Sequence, residues 1–69
     1  MNVLVQLGKR IQFLRKQKGM SQEDLALESG VNKNYLSDLE RGRRNPSLLI
    51  LNRICYGLDI DLATLFKGI

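Results

Sequence analysis

Between Ser21 and Glu40 the chain reads S-Q-E-D-L-A-L-E-S-G-V-N-K-N-Y-L-S-D-L-E, two short helical patterns on either side of Gly30. A glycine in that place allows the positive φ at which one helix stops without a Cβ clash and the chain turns steeply into the next. Leu25, Ala26, Val31, Leu36 and Leu39 are the residues of this stretch that demand burial. Ala26 is the small side chain needed where two crossing axes approach most closely, and Val31 fills the angle. Each feature is common alone. Together, at this spacing, they specify a tight helical corner.

The flanking sequence adds helices to that corner. Leu4, Leu7, Ile11 and Leu14 follow the spacing of one helical face and predict a first helix over about Val3 to Lys18, with Gly19 as its stop. Ser21 with Asp24 three residues later reads as an N-cap close to a capping box, starting a second helix over about Gln22 to Glu28. The third begins near Asn32 or Lys33, reaches Glu40 or Arg41 and stops at Gly42, with Leu36 and Leu39 inward and Tyr35 at its flank. A loop from Arg43 to Asn45 leads to Pro46 and Ser47, a favourable helix start. The fourth helix is expected over about Ser47 to Tyr56, burying Leu48, Leu51, Ile54 and Cys55, with Leu58 closing its far end and Gly57 breaking it. Asp61 caps a last short helix holding Leu62, Leu65 and Phe66. No segment alternates as a strand does. The expectation is an all-α, five-helix fold in one domain spanning residues 1–69, with the corner at about 21–41.

Size and composition narrow the functional classes. A 69-residue chain has room for one compact core, and 43% apolar residues suffice to build it. No apolar run approaches the roughly 20 residues of a membrane span, and the N-terminal residues lack a signal-peptide pattern. Cys55 is the single cysteine, which fits a buried small hydrophobe in a reducing cytoplasm. With one cysteine and no histidine, the chain offers no ligand set for zinc and no histidine-based catalytic centre. No cofactor or small-molecule ligand is expected, and the acids Glu23, Asp24 and Glu28 read as helix-start and surface residues rather than catalytic ones.

What the core leaves over is polar and cationic. The net charge is +4, with Lys9, Arg10, Arg15, Lys16 and Lys18 in the first segment and Arg41, Arg43 and Arg44 just after the corner. Solvated surface charge accounts for such a balance as well as a polyanion partner does. Position is more informative than sum. On a helical wheel Asn34, Ser37, Asp38 and Arg41 share the side opposite Leu36 and Leu39. A short-armed hydrogen-bonding face beside a cationic loop is the arrangement that reads base edges in a DNA groove.

At this point a family resemblance becomes plain. The runs L-R-K-Q-K-G-M-S-Q-E-D-L-A, S-G-V-N-K-N-Y-L-S-D-L-E-R-G-R-R-N-P-S and L-x-x-I-C-Y-G-L resemble the phage repressor and Cro type of helix-turn-helix domain, and more closely its bacterial Xre-like branch. The resemblance covers roughly residues 7 to 66. It implies a compact lambda-repressor-like domain that binds double-stranded DNA, generally as a homodimer on a two-fold operator. Small stand-alone members include restriction–modification controller proteins and phage or plasmid repressors.

Carried over by position, it makes Asn32, Lys33, Asn34, Ser37 and Asp38 the base-contact candidates. Asparagine can pair with adenine, lysine can donate to guanine and aspartate can accept from cytosine. Gln22 at the start of the second helix, Tyr35, and the loop residues Arg43, Arg44 and Asn45 are the phosphate-contact candidates; a partly packed core tyrosine would look the same as Tyr35. The resemblance also implies a structural ion pair between Arg15 and Glu40, tying the first helix to the third.

One departure stands out. Where the family often has an acid in the first turn of the fourth helix, this chain has Leu48-Leu49-Ile50-Leu51. Leu49 and Tyr56, seven residues apart, face away from the inward stripe and are candidates for a dimer contact; packing beneath the final helix is the alternative, and Phe13 poses the same question. A dimer would set two recognition helices about 34–36 Å apart, one DNA turn. The leading expectation is a DNA-binding transcriptional regulator without enzymatic activity. The alternative is a protein-interaction module, an antitoxin or adaptor on the same fold, for which these apolar residues would form a hetero-interface.

Overall fold

Each helix of the protein begins at a side chain that accepts hydrogen bonds from the first free backbone N–H groups. A computed structural model describes residues 2–69 and contains five helices: α1 (Val3–Gln17), α2 (Gln22–Ser29), α3 (Lys33–Glu40), α4 (Leu48–Leu58) and α5 (Leu62–Leu65). Ser21 and Asp24 form a full capping box, with Ser21 Oγ accepting from Asp24 N at 3.0 Å and Asp24 Oδ2 from Ser21 N at 2.9 Å. Ser47 caps α4 and Asp61 caps α5. Asn2 caps α1, receiving Leu4 N at 2.9 Å. Such caps contribute about 1 kcal/mol each, a large share of the stability of helices this short.

The corner forms as its residues require. Gly30 takes φ 68° after Ser29, and Val31 N–H returns to the Ala26 carbonyl at 3.0 Å. Leu25, Leu36 and Leu39 are fully buried, Ala26 nearly so, and Val31 packs against the same cluster. α2 packs chiefly on α4 and α1 on α3, with Leu7, Ile11, Leu14, Leu51, Ile54, Cys55, Leu58 and Leu65 completing one core. The Cα radius of gyration is 10.5 Å, close to the roughly 11 Å expected for a folded chain of this length. Among the described residues there is no strand, and no helix is long and apolar enough to cross a membrane.

Two glycines serve closeness rather than turning. A Cβ on Gly8 would collide with the Glu40 carbonyl oxygen and lie 2.6 Å from that of Leu39, so α1 lies directly on the last turn of α3. Gly57 was expected to break α4, and it does not. It lies inside the helix, where a Cβ would strike Ser29 Oγ and approach Leu25 Cδ1 at 3.0 Å. The helix runs on to Leu58 and ends at Asp59, which itself takes the left-handed conformation at φ 56°. The absent side chain lets α4 settle against α2.

Two further expectations change, and one alternative falls away. Leu48, placed in the core from its spacing, is exposed, because it sits at the first helical position of α4, ahead of the turn where burial begins at Leu51. Phe66 lies one residue beyond α5 and is 40% exposed, while Leu65 is fully buried. Leu49 and Tyr56 are 75% and 78% exposed, so neither packs beneath the final helix. That helix is held instead by Arg10, whose Nη2 donates to the Thr64 carbonyl at 2.8 Å and whose Nε donates to that of Leu65 at 3.2 Å. Cys55 is buried, and burial, with the Asp61 charge second, pushes its thiol pKa up. An inert packing role follows.

Candidate nucleic-acid interface

α3 is only eight residues long, and its two sides are sharply different. Leu36 and Leu39 are fully buried, whereas Lys33 and Asn34 are exposed and Ser37 and Asp38 half-buried along the outward side. The helix is anchored at its far end by Glu40. Arg15 Nε donates to Glu40 Oε2 at 2.8 Å and Arg15 Nη2 to Oε1 at 3.0 Å, a two-pronged pair whose side chains are 9% and 2% exposed. Arg15 Nη1 also donates to the Met20 carbonyl at 2.8 Å, and Gln22 Nε2 donates to Glu40 Oε1 at 3.1 Å. Three elements are thereby joined at one carboxylate: α1, the start of α2 and the end of α3.

Those bonds redistribute the residues singled out from the sequence. The Gln22 amide is turned toward Glu40, leaving its carbonyl oxygen and one N–H for any further contact, while the backbone at the start of α2 remains an anion-favouring helix N-terminus. Asn32 is the N-cap of α3: its Oδ1 accepts from Asn34 N at 2.8 Å and Tyr35 N at 3.3 Å. Only its Nδ2 is left to donate outward. Asparagine's strong preference for that cap position was the signal in the sequence that marked this use. Lys33 makes an exposed 3.8 Å pair with Glu23, the kind that contributes little.

The loop after α3 folds back along the helix rather than away from it. Arg41 and Arg43 N–H both donate to the Asp38 carbonyl, at 3.1 and 2.9 Å. Arg44 is thereby set beside the outward face, with Nη2 3.4 Å from Asp38 Oδ2 and its guanidinium carbon 5.2 Å from the centre of the Tyr35 ring. Arg41, Arg43 and Asn45 are exposed around it. The surface so assembled carries amide, hydroxyl and carboxylate groups on a helix and three arginines at its edge. It can pair with base edges along the helix and with phosphates along the loop. Leu49 and Tyr56 belong to a different face, the outward row of α4 with Asn52 and Arg53 between them, all exposed. Among the described residues no group of three or more His, Cys, Asp or Glu side chains is placed to hold a metal ion.

Comparison with known proteins agrees with this geometry. A helix-turn-helix family model matches residues 11–65. The transcriptional regulator SlrR of Bacillus subtilis is 46% identical over 63 residues, which are 90% of this chain and 41% of SlrR, so this chain spans less than half of that relative. The crystal structure of the restriction–modification controller protein C.AhdI from Aeromonas hydrophila superposes with a TM-score of 0.92 at 42% identity, covering 96% of this chain and all of that one. The controller protein C.Esp1396I, solved as a tetramer in complex with its natural 35 base-pair operator, superposes at 0.90 with 34% identity over 97% of this chain and 88% of that one.

Proposed function

The chain belongs to the helix-turn-helix family, and from that premise we propose that it is a transcriptional regulator that binds a two-fold operator in double-stranded DNA as a homodimer, with α3 in the major groove. Family relatives and structural neighbours are DNA-binding regulators and controller proteins, not enzymes, and the protein acts by occupancy, without catalysis, in the cytoplasm. Asn34, Ser37 and Asp38 read base edges, joined by Lys33 and by the free amino group of Asn32. Arg43, Arg44 and Asn45 hold the phosphate backbone, with Tyr35 and the start of α2 at Gln22 as further backbone contacts. Leu49 and Tyr56 meet their counterparts across the two-fold axis.

The observation that carries this reading is the two-sidedness of α3. Leu36 and Leu39 are fully buried, Lys33, Asn34, Ser37 and Asp38 lie along the outward side, and the Arg43–Arg44 loop is folded back against that polar side. A neighbour of the same fold on operator DNA supports the same reading.

The test is selection of bound duplexes from a random pool, followed by affinity measurements across salt concentrations. A two-fold symmetric consensus is expected. Arg43→Ala should lower the magnitude of the slope of log K against log salt by about 1, since one phosphate contact is lost. Recovery of no consensus would overturn the proposal.

A further inference from the structure

We infer that Asp38 acts as a specificity gate on Arg44: the arginine is released to a DNA phosphate only where the base facing Asp38 offers a hydrogen-bond donor in exchange. The inference rests on the operator-binding reading above and adds to it a coupling between two residues otherwise treated as independent contacts.

Asp38 and Arg44 already satisfy one another in the free protein. The backbone bond from Arg43 N–H to the Asp38 carbonyl turns the loop back along α3, and Arg44 Nη2 comes to 3.4 Å from Asp38 Oδ2. Tyr35, one turn earlier on the same helix, lies beneath the guanidinium at 5.2 Å. The cation is therefore held by a carboxylate and a ring face, on the surface where a duplex would lie. Both charged side chains keep contact with solvent, 51% for Arg44 and 34% for Asp38, so the pair can open without exposing any core. Glu40 is buried with Arg15, which leaves Asp38 as the one carboxylate that α3 and its following loop present outward.

A carboxylate facing a duplex is repelled by the phosphates unless something compensates it. Here two compensations compete. If Arg44 stays, Asp38 is neutralised and a phosphate goes without its arginine. If Arg44 moves to the phosphate, Asp38 needs a donor from the DNA. In the major groove the amino groups of cytosine and adenine provide one, whereas guanine and thymine show only acceptors. The affinity gained through Arg44 thus depends on the base opposite Asp38. A plain phosphate contact would instead add the same affinity on every sequence.

The experiment is a double-mutant cycle read by fluorescence anisotropy, using wild type, Asp38→Asn, Arg44→Ala and the double variant. The probes are a duplex selected by the wild type from a random pool and a scrambled duplex of the same length. Asp38→Asn should tighten the scrambled complex by about three- to ten-fold and narrow the selected-to-scrambled ratio by a similar factor. With Asp38 present, Arg44→Ala should weaken the selected complex about three- to ten-fold more than the scrambled one. In the Asp38→Asn background it should weaken both alike to within about two-fold, because no carboxylate then holds the arginine back. An Arg44→Ala loss that is the same on both duplexes with Asp38 present would mean that the arginine is a plain phosphate contact, and would overturn the gate alone. A wild type that binds both duplexes equally would overturn the gate together with the operator reading. Thermal melts of all four proteins should agree closely, since neither side chain supports the core.

Discussion

Replacing Glu40 by glutamine should cost more stability than any other single exchange of one polar group for another of the same shape. The substitution preserves the shape of the side chain but leaves the Arg15 guanidinium, 9% exposed at its side chain, without its counter-charge. Breaking a buried pair in this way costs about 3–5 kcal/mol, because the remaining ion stays desolvated. One bond to a neutral oxygen and the bond to the Met20 carbonyl survive, so the lower part of that range applies. A domain of this length has a total stability of about 3–10 kcal/mol, so Glu40→Gln removes a third of it or more. At about 4–8 °C per kcal/mol, the melting midpoint should fall by at least about 12 °C. The measurement is urea unfolding and thermal melting by circular dichroism, repeated at high salt. Because the pair is shielded from solvent, added salt should change the difference little. The double variant Arg15→Met/Glu40→Met should recover to within about 1 kcal/mol of wild type, as apolar replacements of buried pairs do. A loss below about 1 kcal/mol for Glu40→Gln, the magnitude of an exposed pair, would refute the argument, as would a double variant no better than the single one.

Gly8→Ala should destabilise despite alanine's helix preference: relieving contact with the Leu39 and Glu40 carbonyls costs about 1–3 kcal/mol against about 1 kcal/mol gained in propensity, and the displaced α3 should bind DNA more weakly in the same preparation. The carboxyls of Asp24 and Asp61 are held below their ordinary value of 3.8, the first by the backbone N–H and then the hydroxyl of Ser21, the second by hydrogen bonds with Thr64. A pKa lower in the folded state means stabilisation that is complete above about pH 5 and lost as pH falls below about 4; melting curves from pH 7 to pH 3 should show that acid-side decline, and Asp61→Asn should flatten it. Leu49→Ser and Tyr56→Ser should each shift the protein toward monomer by light scattering without lowering the monomer's own melting temperature, because both side chains are more than 70% exposed.

Local relationships were legible in the residues themselves, whereas of those spanning the fold only the Arg15–Glu40 pair was anticipated, and that through the family resemblance. The Ser21–Asp24 capping box, the Gly30 turn and the burial of Leu25, Leu36 and Leu39 involve residues within one or two turns of each other, where spacing determines geometry. Gly57 was misread because a glycine that ends a helix and one that admits a neighbour look alike until the neighbour, Ser29, is known. Leu48 has the right spacing for burial but the wrong place along its helix, which periodicity does not register. The polar side of α3 was identifiable as a face, yet of the individual commitments on it only the Asn32 cap carried a sequence signal. Asn32 turns its oxygen to its own helix, Gln22 reaches Glu40, and Arg44 bends back to Asp38. Each depends on how a flexible side chain or loop is aimed. Arg10 read as one more surface cation, whereas it holds carbonyls more than fifty residues away in sequence, at Thr64 and Leu65.

The crossing of α2 and α4 has a consequence for how this sequence can drift. Ser29 Oγ is buried with no hydrogen-bond partner, in the space that a side chain at position 57 would need. The two positions share one volume and cannot both fill it. Alanine at 57 becomes tolerable only after the hydroxyl at 29 is gone, as in Ser29→Ala, and a larger residue at 29 locks 57 as glycine. Losing the unpartnered hydroxyl at 29 costs little, whereas filling 57 first forces a clash, so the order of substitutions matters. Chains that descend from a common ancestor with this corner should show a side chain at 57 only where 29 has lost its hydroxyl.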